Sequence, residues 1–175
     1  YHIVVSSNAV GSALLDGFTI TDAYSESTSV FITVNTYPVY RAFGAIYCVR
    51  SSPSFANCII TANFIYTGGG MYNYQQSSPT LTNCSFLSNG SKSDGGAIYN
   101  NTNSSPVITN CSFLSNAAVS NGGAIYNSNN SSPVISNCSF KNNSGIADGG
   151  AIYNDASSPI ITNALFTNNS AAGGI

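Results

Sequence analysis

The stretch "SDGGAIYNNTNSSPVITNCSFLSN", residues 93–116, decides how the chain is read. It holds a glycine pair, a Ser-Ser-Pro word, a cysteine and three short β-favouring words, AIYN, PVIT and CSF. Nearly the same words recur one copy before and one copy after. Tyr47, Tyr72, Tyr99, Tyr126 and Tyr153 step by 25, 27, 27 and 27 residues, and Pro53, Pro79, Pro106, Pro133 and Pro159 by 26, 27, 27 and 26. Cys58, Cys84, Cys111 and Cys138 keep the same register, with Ala164 in the fifth place. Asn57, Asn83, Asn110, Asn137 and Asn163 precede that column, and Asn63, Asn89, Asn116, Asn143 and Asn169 follow six residues later. Columns locked to one period identify a repeat architecture.

Gly-Gly, Ser-Ser-Pro and Asn break each copy into β words, and no window carries a helical apolar period. The expected fold is all-β: a parallel β-helix, a solenoid of about six coils with a period of about 27 residues and three short strands per coil. Residues 1–175 read as one domain, with repeats clearest over 44–175. Stacked coils sit about 4.8 Å apart, so each sequence column becomes a ladder. A lone coil buries too few apolar side chains to offset the entropy of ordering it, so the copies need one another.

The tolerance of each column assigns its face. Phe55, Leu81, Ile108, Ile135 and Ile161 form one inward column, and Ile60, Phe86, Phe113, Phe140 and Phe166 another. Because the Ile108 and Cys111 columns are both apolar, the chain must bend between them. The Asn57, Asn83, Asn110, Asn137 and Asn163 column is read as that left-handed corner, its amides bonding up the stack. Cys58, Cys84, Cys111 and Cys138 are expected to be buried free thiols; Cys48 lies outside their column. In AIYN, Tyr99 opposes core Ile98, so Tyr72, Tyr99, Tyr126 and Tyr153 are expected to form an outward stacked stripe able to contact a sugar face or a protein.

Composition narrows function. Only 6% of the 175 residues are charged, with four Lys and Arg and a net charge of −2. There is no basic patch for nucleic acid or an anionic membrane, and no apolar run approaches the roughly 20 residues of a spanning helix. A single histidine, His2, leaves nucleophile chemistry without a base in the repeats. Thr67, Asp94, Asn121 and Asp148 share a column before the Gly-Gly words. Turn chemistry accounts for these short polar residues; Asp94 and Asp148 are carried as calcium candidates, and catalytic residues, metal sites and cofactors are otherwise expected to be none. A zinc site does not suit a linear ladder, which cannot wrap four ligands around one ion.

Residues 23–43 break the rhythm with an insertion of about 16 residues, "AYSESTSVFITVNTYPVYRAF". It reads as an aromatic-rich loop or flap in which Tyr24, Phe31, Tyr37 and Tyr40 are candidate contact residues. The ends, "YHIVV" and "AAGGI", show no polar cap. Two expectations follow: the chain is a piece of a longer β-helix, or one subunit's last coil stacks on the next subunit's first.

The words GGAI at 95–98, 122–125 and 149–152 alternate with FLSN at 86–89 and 113–116, FKNN at 140–143 and FTNN at 166–169. This alternation resembles the repeats of chlamydial polymorphic membrane proteins and, more widely, of bacterial cell-surface right-handed parallel β-helix proteins. The resemblance covers about residues 44–175. It implies a right-handed, extracellular or surface-displayed module, structural or adhesive and not an enzyme. The expected function is therefore an extracellular β-solenoid, self-assembling end to end into a filament. Its expected partners are a second copy, a glycan or a host or cell-surface protein, with no nucleic acid and no direct membrane insertion. The alternative from another class is a carbohydrate-binding or carbohydrate-processing β-helix. Ice binding through Thr82, Thr109, Ser136 and Thr162 has one hydroxyl ladder and lacks a flat paired array.

Overall fold

The computed structural model of the chain describes residues 2–8, 13–26 and 31–173. Every four-strand coil begins where an AIYN-like word runs into a Ser-Ser-Pro turn. Stacking those words gives a six-stranded parallel sheet of Val4–Ser7, Ile46–Val49, Met71–Tyr74, Ile98–Asn101, Ile125–Asn127 and Ile152–Asn154. The Pro-Val-Ile-Thr words build a second, six-stranded in the same order, and the Cys-Ser-Phe words a third. A fourth sheet, of two-residue strands, joins Phe64–Ile65, Gly90–Ser91, Ala117–Ala118, Ser144–Gly145 and Ser170–Ala171. The coil thus has four strands where the sequence reading expects three, because Asn-Gly-Ser and Asn-Ala-Ala are too short and small to look like strands in isolation. Five full coils stand on a partial first one, and the fold is a parallel β-solenoid.

Pairing is in exact column register: Ile98 lies between Met71 and Ile125, Ile108 between Leu81 and Ile135, and Phe113 between Phe86 and Phe140. Both apolar columns fill the bore, and in the middle coils Leu81, Phe86, Ile108, Phe113, Ile135 and Phe140 are fully buried. The phenylalanine rings stack nearly coplanar, Phe113 on Phe140 at 4.7 Å and 3°. In the last coil the same columns are open, with Ile161 38% and Phe166 47% exposed.

Four bends close each coil, the one before the short-strand sheet falling at Ser88, Ser115 or Asn142 with φ of 53°, 56° and 55°. At the Gly-Gly word, Gly95, Gly122 and Gly149 take positive φ near 64°. The second glycine is needed for space: a Cβ on Gly96 would fall 2.3 Å from the Gly123 carbonyl oxygen. At the Ser-Ser-Pro corner two serine ladders run in opposite directions. Ser77 and Ser104 donate their backbone N–H to the hydroxyl of the coil above (Ser104 and Ser131, 3.1 and 3.0 Å), while Ser78 and Ser105 donate to the coil below (Ser52 and Ser78, 2.9 Å each). At the third corner Asn57, Asn83, Asn110, Asn137 and Asn163 have φ of 52°, 54°, 55°, 53° and 48°, the left-handed bend that asparagine tolerates.

The inserted segment carries an antiparallel hairpin, Phe31–Val34 with Tyr37–Tyr40, turned by Asn35 and Thr36 at φ of 48° and 71°. It lies on the outer face of the tyrosine sheet, where Val39, Tyr47, Val49 and Tyr72 form a small second core.

Candidate functional site

Buried amides form the strongest polar features. Asn63, Asn89, Asn116 and Asn143 point into the bore, each donating its side-chain amide to the Oδ1 of the next at 2.9–3.0 Å, ending on Asn169. A second internal ladder runs Asn73, Asn100, Asn127, Asn154 at 2.8 Å per step. These are the asparagine ladders of the molecule. The corner column, expected to form one, is exposed instead: Asn83 donates to Asn57 at 3.3 Å, Asn163 to Asn137 at 2.6 Å, and among the described residues Asn110 interrupts the series. The bend stands, but a left-handed residue at this elbow directs its side chain outward, away from the bore. The strict Asn63 column was the sequence signal for the true ladder; what it lacked was a face, since an asparagine reads equally well in or out.

The exposed corner forms a shallow groove of about 510 Å³. Asn110, Asn137, Asn163, Ser112, Ser139 and Leu165 line it, and the nearly buried Cys111 and Cys138 form its floor. Its lining holds amides, hydroxyls and apolar carbon, and no ionisable group besides the two thiols. Thr109 and Ser136, on the strand side, join hydroxyls at 3.2 Å, and Ser85 and Ser112 do so beyond the bend at 2.9 Å. A smaller, mainly apolar trough of about 190 Å³ runs over the short-strand sheet between Phe64, Gly90, Ala117, Val119 and Ile146.

Tyr72, Tyr99, Tyr126 and Tyr153 sit outside the bore with centroids 5.1, 4.8 and 5.5 Å apart, the first two pairs tilted at 60° and 54° and the Tyr126–Tyr153 pair stacked at 9°. They do not present an open aromatic stripe. Phe43 covers Tyr72 at 4.5 Å, and each ring covers the next. The hydroxyls are also engaged: Asn101 donates to Tyr72 Oη at 3.0 Å, Ser128 to Tyr99 Oη at 3.2 Å, and Tyr126 donates to Asp155 at 3.5 Å. At the 4.8 Å coil spacing, rings consume one another's faces. Burial pushes the Tyr47, Tyr72, Tyr99 and Tyr126 phenols above their ordinary range. Of the inserted residues, Tyr24 and Phe31 are exposed, whereas Tyr37 and Tyr40 are half-buried at the hairpin base. Tyr24 stacks on Phe64 at 6.0 Å and donates to Glu26, which pairs with Lys92 at 2.6 Å.

Asp94 and Asp148 are separated by Asn121, which uses their column as a turn ladder. Asn121 donates its backbone and side-chain N–H to Asp94 Oδ1 at 3.0 and 3.1 Å, and accepts the Asp148 N–H at 3.2 Å. Among the described residues, no three His, Cys, Asp or Glu side chains come together as a metal cluster. All five cysteines are free and buried. Burial pushes Cys48 up to about 12, and Cys111, between the thiols of Cys138 and Cys84 and itself buried, is also raised.

Parallel coils with one side chain per rung in each ladder define a β-helix. The family model described as the right handed beta helix region matches residues 2–175, and the chain belongs to that family, which includes both enzymes and non-enzymes. Searches of curated proteins and of solved structures find no match to this chain.

Proposed function

We propose that this β-helix is a non-catalytic extracellular module, structural and adhesive, that holds an uncharged polysaccharide along its asparagine corner. One observation carries the reading: the groove of Asn110, Asn137 and Asn163 spans three coils and offers amide and hydroxyl groups with no carboxylate or ammonium among its lining residues, Lys141 standing two residues beyond Ser139. Such a lining recognises neutral hydroxyl-rich chains, and it gives nothing to an anionic polymer. A rigid ladder also pays little ordering entropy when it binds a long, regular ligand. The test is retention on neutral polysaccharides (cellulose, xylan, mannan, starch) with polygalacturonate as the charged control. Wild type is expected to be retained by at least one neutral polymer, and the double variant Asn110→Gly, Asn137→Gly to lose that retention at least about tenfold. Glycine keeps the left-handed bend while removing the amides. No retention on any neutral polymer, or equal retention by the variant, overturns the reading.

A further inference from the structure

Beneath the neutral groove runs a column of four free thiols, Cys58, Cys84, Cys111 and Cys138. Parallel register places Cys84 under Cys111 and Cys111 under Cys138, because the neighbouring pairs Ser85, Ser112 and Ser139 are directly aligned. Adjacent rungs of a parallel sheet are about 4.8 Å apart. The sulfurs are also aimed at by backbone donors: Cys84 N–H points to Cys111 Sγ at 3.4 Å, and Cys111 N–H to Cys138 Sγ at 3.4 Å. A hydrogen bond to sulfur favours the thiolate, whereas each thiol also donates to a carbonyl, Cys111 to Thr109 at 3.3 Å and Cys138 to Ser136 at 3.2 Å, bonds that loss of the proton breaks. Cys111 and Cys138 also floor the corner groove, which gives that pair a route from solvent.

We propose that Cys111 and Cys138 form a two-coordinate site for a soft monovalent cation of the copper(I) or silver(I) kind. A ladder cannot wrap a tetrahedral ion, but it can hold an ion in line between two sulfurs. Metal–thiolate bonds are about 2.3 Å long, so two in line span about 4.6 Å, close to the rung spacing. Thiolates select soft ions, and monovalent ions of this type accept two ligands in line. The reaction balances without an oxidant: two thiols and one cation give a bis-thiolate complex carrying one negative charge and release two protons. The backbone N–H groups on Cys111 Sγ and Cys138 Sγ offset part of the cost of that buried charge. Cys48, in the tyrosine sheet, is registered against Ser6 and Asn73, has no thiol partner and is not part of the site.

The experiment titrates the reduced 175-residue chain with silver(I) without oxygen, followed by native mass spectrometry and by the thiolate-to-metal ultraviolet absorption. Expected are an ion retained against a weak thioether competitor, two protons released per ion, and no retention of zinc. Cys111→Ala and Cys138→Ala should each weaken retention at least about 100-fold, while Cys48→Ala leaves it unchanged. Both alanine variants should fold, since Ala164 already occupies the column in the last coil, and circular dichroism checks this. Silver bound equally by the Cys111→Ala, Cys138→Ala double variant, no retention by wild type, or zinc retained as well as silver would each overturn the proposal.

Discussion

Asn89 and Asn116 are joined twice: both the backbone N–H and the side-chain amide of Asn89 donate to Asn116 Oδ1, each at 3.0 Å. Asn116 passes the pattern on, donating to Asn143 Oδ1 at 3.0 Å and back to the Phe86 carbonyl at 3.0 Å. One buried amide thus satisfies two backbone groups of the coil below, the Asn89 N–H and the Phe86 carbonyl, and links to the amides on both sides.

Asn116→Ala should be among the most damaging single changes. It leaves two donations from Asn89 and the Phe86 carbonyl without partners inside the bore, at a cost of at least about 3 kcal/mol, while Asn143 Oδ1 keeps the residue-116 backbone N–H. Asn110→Gly, an asparagine in the exposed column, should cost only a few tenths of a kcal/mol, because glycine adopts the same left-handed bend. Urea midpoints of the two variants test the contrast. Equal midpoints would reject the assignment of inner and outer columns.

Gly96→Ala should prevent folding of the native stack. The added Cβ meets backbone on two sides, 2.3 Å from the Gly123 oxygen and 2.6 Å from the Ala117 oxygen, and neither can move without parting two coils. Gly17→Ala meets no atom within 4 Å, though its φ is 74°, so its cost is confined to strain of about 1–2 kcal/mol. Circular dichroism and thermal melts of both variants measure the difference.

The repeat columns made the coil, its period and its core legible, because inward residues such as Ile108 and Phe113 are chemically distinct from what flanks them. Polar columns were harder. Asn110 and Asn116 both recur every coil, and nothing in their chemistry says which faces the bore; only the left-handed φ of the preceding Ser115 and the packing of Phe113 decide it. The insertion was legible as an aromatic-rich loop or flap with one strand-like word, VFITV, but its pairing with Tyr37–Tyr40 as a hairpin and its docking over Tyr47 and Tyr72 were not, since the docking depends on contacts far apart in sequence. The corner groove was not legible at all, since it exists only when three separate copies stand side by side.

High pH should unfold the protein from the tyrosine sheet. Tyr47 and Tyr72 are buried, which raises their folded pKa above the unfolded value of about 10. A raised pKa means the folded state holds its protons more tightly. The stability is therefore fully present below about pH 10 and falls as the pH climbs from there toward the folded values. Tyrosinate absorbance for these rings should appear together with loss of the β signal. Val39→Asp, which opens the hairpin over both rings, should move that transition to lower pH; an unchanged transition would mean the hairpin does not shield them.

Cys48→Asn should stabilise the protein. The inner ladder that runs upward from Asn73 has each amide donating to the Oδ1 of the next, so the lowest oxygen, Asn73 Oδ1, receives nothing and is buried without a partner. Register places Cys48 directly beneath it, fully buried and carrying no amide. An asparagine there would extend the ladder by one rung and supply the missing donor, recovering about 1–3 kcal/mol of desolvation cost, while its own Oδ1 would become the lowest acceptor beside the half-buried Ser6 hydroxyl registered beneath it. Against this stands the larger side chain, which costs about 1 kcal/mol or more where packing is tight. A net gain of about 1 kcal/mol is expected in the urea midpoint. Cys48→Val separates the two effects: it fills the same space without a donor and should bring no gain. If the valine variant matches or exceeds the asparagine variant, the unpaired oxygen carries no penalty and the ladder does not need its lower rung.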